Sequence, residues 1–259
     1  CRPFHYVVCA APQYDPSRVH NLVCACNELG IHYLDFSEDV HVRKRISEIA
    51  IPRIFIACGC GLAPGMIQVI AQSLASELDR VNSIRMYVGA LPLSASNKLL
   101  YHCTWSPEGV VHEYTNQVDY IALGHRNTCR PLTNERKVVI GGREYETFST
   151  SGGAGTLVET WDGDPDISEL TYSTIRYKGH LRRVEELLDR GTLLSELKRT
   201  RPINPIEDVV LIHVRVSGYK GKDRVCNVYT KEISPCHPKR GWHVAYTAIQ
   251  RTTAGGLAL

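Results

Sequence analysis

One stretch limits what this 259-residue chain can become more than any other. Ile54 to Ser76, IFIACGCGLAPGMIQVIAQSLAS, runs for 23 residues without a formal charge. A segment of that kind either crosses a membrane or is buried in a protein core. Gly59, Gly61, Pro64 and Gly65 interrupt its middle, and a membrane-spanning helix does not suit that density of breakers. Gln68, Gln72 and Ser73 gather on one side of the second half, so the expected form is a buried strand, a turn and an amphipathic helix, with no membrane contact.

The residues before it repeat the same unit. HYVVCAA (5–11) is a short apolar run. Asp15 as N-cap and Pro16 at the first helical position open a helix with an apolar stripe of Val19, Leu22, Val23, Cys26 and Leu29, and Gly30 stands where a left-handed C-terminal residue is wanted. IHYLDF (31–36) is the next expected strand, followed by a helix over about 39–50, capped by Ser37 or Asp39, with Val42, Ile46 and Ile49 inward. IFIACG (54–59) is the third strand. Short strands joined by helical connections predict a parallel sheet, the α/β pattern.

After a helix over about 66–78 the texture changes. VNSIRMYVGALP, KLLYHCTW, REYETFST, LTYSTIRYKG, DVVLIHVRV and RVCNVYTKEI alternate and are rich in β-branched and aromatic residues, as in a mixed sheet open on one face. Helices are expected at about 106–114, 155–161 and 179–200, and from 241 until Gly255-Gly256. A boundary near Gly65 separates an α/β part from a larger α+β part.

Composition narrows the function. Lys+Arg at 30 against Asp+Glu at 27 leaves +3, too little to draw nucleic acid by charge. The 10 cysteines are too sparse for a disulfide scaffold and several lie in apolar runs, which predicts reduced thiols and a cytoplasmic setting. The opening CRPFHYVVCAAPQYD is an apolar run cut by proline and acid, and no secretory leader is expected from it. No metal site is expected. Cys24 and Cys26 diverge on a helix, Cys58-x-Cys60 lacks the usual two-residue spacing, and Cys236-His237 with His243 lacks further ligands. The nucleophile motif of the serine hydrolases and the phosphate-binding G-x-x-x-x-G-K-[ST] are both absent.

Two glycine turns stand between a strand and a helix, Gly59 to Gly65 and Thr150 to Thr156. Each reads either as an anion cradle or as a tight turn, and the first, G-x-G-x-x-x-G, is one residue too long for the dinucleotide fingerprint. Asp35 lies at the carboxyl end of a parallel strand, where open α/β sheets place ligands.

Six segments in order, GIHYLDFSED (30–39), GLAPGM (61–66), MYVGALP (86–92), TWSPEGVVHEYT (104–115), FSTSGG (148–153) and LTYSTIRYKGH (170–180), resemble the saccharopine dehydrogenases and the related lysine 6-dehydrogenases. The resemblance implies an α/β fold made of a partial Rossmann-type parallel sheet over 1–65, an α+β substrate-binding and dimerisation domain with a mixed sheet over 66–240, and a C-terminal helix over 241–259 returning to the first domain. It implies that the G-x-G-x-x-G fingerprint precedes Cys1 and that the family's sequence continues past Leu259. It implies NAD or NADP as cofactor, a small amino-acid substrate oxidised at a C–N bond, and a homodimer.

Under that resemblance the nicotinamide is expected near Ala10, Ala11, Pro12, Gln13, Leu62, Ala63, Pro64 and Gly65. Asp35 is the first candidate acid/base, with Tyr33 and His32 behind it; alternation puts His32 on the opposite side of the strand from the other two. Arg176 with Thr150, Ser151 and Gly152 is the candidate carboxylate site. A carboxynorspermidine-type polyamine reductase and a non-catalytic dimeric module are the competing readings.

Overall fold

The computed structural model describes residues 4–10, 16–49, 53–94, 97–200, 208–236 and 246–258. Its first part is a three-stranded parallel sheet in the order β1 (Tyr6–Cys9), β2 (His32–Asp35), β3 (Ile56–Ala57). The crossovers are α1 (Pro16–Leu29) and α2 (Val40–Ser47). Val19, Val23 and Cys26 of α1 pack with Tyr33, Val42, Ile46 and Ile54 into one core. Leu22 and Leu29, expected in that stripe, are exposed. Gly30 has φ 63 and donates to Asn27, while Ile31 donates to Cys26, the double bond that closes a helix through a left-handed residue. Asp39 caps α2, its Oδ1 accepting from the amides of His41 and Val42. The expected Asp15 cap lies outside the described residues.

The second part is an eight-stranded mixed sheet. Its order is β11 (Asp223–Ile233), β10 (Asp208–Lys220), β4 (Arg80–Pro92), β9 (Glu169–Arg176), β5 (Val118–Ala122), β6 (His125–Cys129), with β7 (Arg136–Ile140) on β8 (Arg143–Ser149). Strand β9 is parallel to β4 and shares its other edge between two antiparallel partners, β5 at its start and β8 at its end. On one face α3 (Met66–Ala75), α5 (Leu157–Trp161) and α8 (Ala248–Ala258) cover Ile84, Met86, Leu170, Val210, Ile212 and Val214. A second core joins α4 (Pro107–Thr115), α6 (His180–Asp189) and α7 (Leu193–Arg199) to Leu99, Tyr101, Cys103 and Phe148.

Three expectations change. KLLYHCTW forms no strand. Leu99, Tyr101 and Cys103 are buried in alternation, but Leu100 has φ 54 and the Asn97 amide bonds both backbone groups of Tyr101, so no ladder can form. The helix over 179–200 breaks at Gly191, φ 65, where Gly191 and Thr192 donate to Leu188 and Leu187. Helix α8, expected from 241, begins at Ala248, Tyr246 being bridged to Cys236, and it runs through Gly255 and Gly256, where a Cβ at Gly256 would overlap the carbonyl of Gly61. These glycines permit close packing of a helix, and here they do not end it.

No helix among the described residues is long and apolar enough to cross a membrane. Residues 54–75 are strand β3, a glycine turn and helix α3.

Candidate active site

The even positions of β9 face the helices, so Tyr172, Thr174 and Arg176 lie in a row. With Val88 and Ala90 of β4 they floor a cavity of about 1030 Å³. One wall comes from the carboxyl ends of the small parallel sheet: Ala10, Phe36 to Asp39, and Gly61 to Pro64. The other comes from Trp105 to Glu108, His112 and Glu113 of the α4 region and from Ser151 and Gly152.

Arg176 is only 3% exposed. Its Nε donates to the Tyr114 hydroxyl at 3.0 Å and its Nη1 to the Ile175 carbonyl at 3.0 Å. The guanidinium lies over the ring of Tyr101 at 4.8 Å and is 5.9 Å from that of Tyr114. No carboxylate among the described residues lies within ion-pair distance of this side chain, which lines the cleft and bonds the fold through Nε and Nη1, leaving Nη2 the nitrogen with no bond to it. Aromatic faces recover part of the cost of burying a cation, about 0.5–2 kcal/mol per contact, which is far less than full desolvation. An anion entering the cleft would supply the rest.

Two glutamates line the same cavity as that cation. Burial pushes the Glu113 carboxyl up to about 7, the nearby Arg176 charge holding it back from going further. Glu38 is raised as well, by burial and by the charges of Glu113 and Asp39. It comes from the loop after β2 and fits between two glycines: a Cβ at Gly152 would lie 3.2 Å from Glu38 Cβ, and one at Gly109 would lie 3.1 Å from Glu38 Oε1. A buried carboxyl raised to about 7, with a second raised carboxyl that feels its charge, can exchange protons with a bound amine.

The candidates named from sequence fall into three groups. Ala10, Leu62, Ala63, Pro64, Ser151, Gly152 and Arg176 line the cavity. Ala11, Pro12 and Gln13 lie outside the described residues. Asp35, Tyr33, His32, Gly65 and Thr150 do not line it. Asp35 is fully buried, accepting from the amides of Ser37 at 2.9 Å and Gly59 at 3.0 Å and from the Tyr33 hydroxyl at 3.1 Å. Its own carbonyl accepts from Cys60, so it braces the glycine turn from beneath. His32 accepts from the Phe55 amide and packs on Tyr6.

The first glycine turn does not act as an anion cradle in this arrangement. The amides of Gly59, Cys60, Gly61 and Gly65 are all taken by groups of the fold: both Asp35 acceptors, the Pro64 carbonyl and the Gln68 side chain. The turn lines the cleft with Leu62, Ala63 and Pro64, an apolar surface that suits a flat ring. The second turn spends only some of its donors, the Thr150 hydroxyl being buried without a partner. The Ser151 amide bonds the Glu113 carbonyl and its hydroxyl the Gln117 carbonyl, which fixes the end of α4. Gln68 joins the two turns, its Nε2 donating to the Gly153 carbonyl at 2.6 Å. The His, Cys, Asp and Glu residues among those described form no group that could hold a metal ion.

Sequence reasoning missed Glu113, Trp105 and the cleft role of Glu38. All three sit inside segments singled out for the resemblance, TWSPEGVVHEYT and GIHYLDFSED.

Residues 61–229 match the family described as saccharopine dehydrogenase C-terminal domain. The L-Glu-forming saccharopine dehydrogenase of Saccharomyces cerevisiae is similar in structure at a TM-score of 0.71 and 15% identity, over 98% of this chain and 75% of that one. The homospermidine synthase of Legionella pneumophila, solved in complex with NAD, is similar at 0.59 and 11% identity, over 88% of this chain and 61% of that one.

Proposed function

The chain belongs to the saccharopine dehydrogenase C-terminal domain family, and from that premise we propose that it serves an NAD- or NADP-dependent oxidoreductase acting on a C–N bond of a lysine-derived amino acid. The observation that carries this reading is the buried Arg176, without an ion-pair partner among the described residues, lining a cleft whose other ionisable groups include Glu38 and Glu113. That arrangement binds a carboxylate at one point and handles an amine proton at another.

A nicotinamide held at this site would supply the hydride acceptor for the carbon beside the amine. Leu62, Ala63 and Pro64 provide a flat apolar surface for its ring at the carboxyl ends of the parallel strands. Arg176 holds the substrate carboxylate. Glu113, in its base form, takes a proton from the amine nitrogen as the C=N bond forms, and returns it to the leaving amine when water adds. Glu38 shares the proton load, since two like charges in one buried site resist joint ionisation. Asp35 keeps the loop that carries Glu38 in place. A polyamine substrate is the second reading, favoured by the carboxylates of the cleft; it would leave Arg176 without an anion.

The test is an NAD(P)H absorbance assay on the protein with L-lysine, L-saccharopine and 1,5-diaminopentane, with each coenzyme. Turnover of the amino acids with little turnover of the diamine is expected. Absence of any coenzyme-dependent change with the amino acids would overturn the assignment.

A further inference from the structure

Behind Arg176 lies a polar chain that never meets the cleft. His180 is fully buried and opens α6; Gly179 before it has φ 96, and the Glu146 carboxylate on β8 accepts from the amides of Gly179 at 2.7 Å and Leu181 at 2.6 Å. The helix start, and with it the ring, is thereby fixed to the sheet. Phe148 stacks parallel to the ring at 6.3 Å and Tyr101 meets it edge-on at 5.5 Å.

The hydrogen bonds of this ring have only one consistent direction. Nδ1 lies 2.8 Å from the Leu99 carbonyl, which can only accept, so Nδ1 carries the proton. Burial and the Arg176 charge keep the ring neutral, pushing its pKa down to about 3, so Nε2 is an acceptor. Nε2 lies 3.0 Å from the Tyr114 hydroxyl, which therefore donates to it and turns a lone pair to Arg176 Nε, also at 3.0 Å. Neither His180 nor Tyr114 lines the cavity.

We propose that His180 is a positioning residue: acting through the Tyr114 hydroxyl, it aims the Arg176 guanidinium so that its free edge meets a substrate carboxylate, and so sets the selectivity of the cleft for carboxylate-bearing substrates. The inference rests on the reading of Arg176 as the carboxylate anchor and adds the device that orients it. Without the ring acceptor the hydroxyl can turn its proton toward Arg176, and Nε loses its partner.

The test compares binding of L-lysine and 1,5-diaminopentane, the same amine without the carboxylate, to the wild-type protein and to His180→Leu, His180→Gln and Tyr114→Phe. In His180→Leu the L-lysine Kd should rise about ten-fold, the scale of one hydrogen bond to a charged group. The diamine Kd should stay within about two-fold. His180→Gln, which keeps an acceptor for Tyr114, should recover most of the loss; Tyr114→Phe should reproduce it and covers the case in which His180→Leu does not fold. Equal weakening of both ligands in these variants, or L-lysine binding unchanged in them, would overturn the inference alone. Failure of the wild-type protein to bind any α-amino carboxylate would overturn the functional reading beneath it. Nitrogen-15 spectra give an independent check: the ring proton is expected at Nδ1, and a proton at Nε2 overturns the inference whatever the ligands do.

Discussion

The three-stranded sheet and the eight-stranded sheet reach the same cleft by different means. The parallel sheet contributes the residues past its strand ends, Ala10, Phe36 to Asp39 and Gly61 to Pro64, while its strand interiors form an ordinary apolar core. The mixed sheet contributes along the length of one strand, with Tyr172, Thr174 and the final residue Arg176 in a row on β9. Ends of parallel strands are free of ladder bonds and can be shaped by loops. Residues in a ladder are held by their neighbours: Tyr172 pairs with Met86, Thr174 with Val88 and Phe148, and Arg176 with Glu146, while the Arg176 side chain is further fixed by Tyr114 and the Ile175 carbonyl. Adaptable groups thus belong to the first part and a fixed cation to the second, with Glu113 of α4 beside that cation.

The largest effect expected from this division is on chemistry. Glu113→Gln should lower kcat by about 10²–10⁴, with little change in melting temperature at acidic pH, where Glu113 is protonated. In the wild-type protein the rate of amine oxidation should rise as pH climbs through about 7, where Glu113 becomes a base, and the variant should lose that rise. The raised pKa also makes folding less favourable as pH rises from the ordinary carboxylate value towards 7, a dependence the variant should lack. A pH profile unchanged in the variant would take the proton-handling role away from this residue.

The reverse pattern is expected from Asp35→Ala. It strands the amides of Ser37 and Gly59 and the Tyr33 hydroxyl, at a cost of about 2–4 kcal/mol in stability by denaturant unfolding. The rise in rate near pH 7 should survive, because Asp35 lies under the cleft. Loss of that rise with stability intact would reverse the roles given to the two carboxylates.

A smaller effect tests where the two parts meet. Gly152 has φ 84, and its added Cβ would press on Glu38. Gly152→Ala should cost about 1 kcal/mol for the left-handed backbone and weaken amine binding several-fold. A stability loss with amine binding untouched would separate Glu38 from substrate handling.

Much of this was legible in the residues. The strands and helices through Ser47 arise from apolar runs, the Asp39 cap and Gly30, because local chemistry decides those features. Arg176 could be named from its motif, but its burial depends on Tyr101 and Tyr114, distant in the chain. Asp35 was the natural candidate at a strand end. Period two turns it toward the Tyr33 side, however, and the residue that faces the cleft stands three positions later, clear of the pleat. Strands β6 and β7 were missed because HRNTC is polar and RKVVI largely exposed, and β5 because VDYIA is too short to show a pattern. The Gly141-Gly142 pair, with φ 58 and 80, was a hairpin signal that marks the turn from β7 to β8.

Helix α8 is held at both ends. The Asp208 carboxylate at the start of β10 accepts from the amides of Ala248 at 2.6 Å and Ile249 at 3.0 Å, and Gly256 rests on the Gly61 carbonyl. The helix is thus a strut between the widest sheet and the turn that borders the cleft. Rigidity built up over eight strands passes along it to a turn whose own sheet has only three, so the small sheet takes its alignment from its larger neighbour.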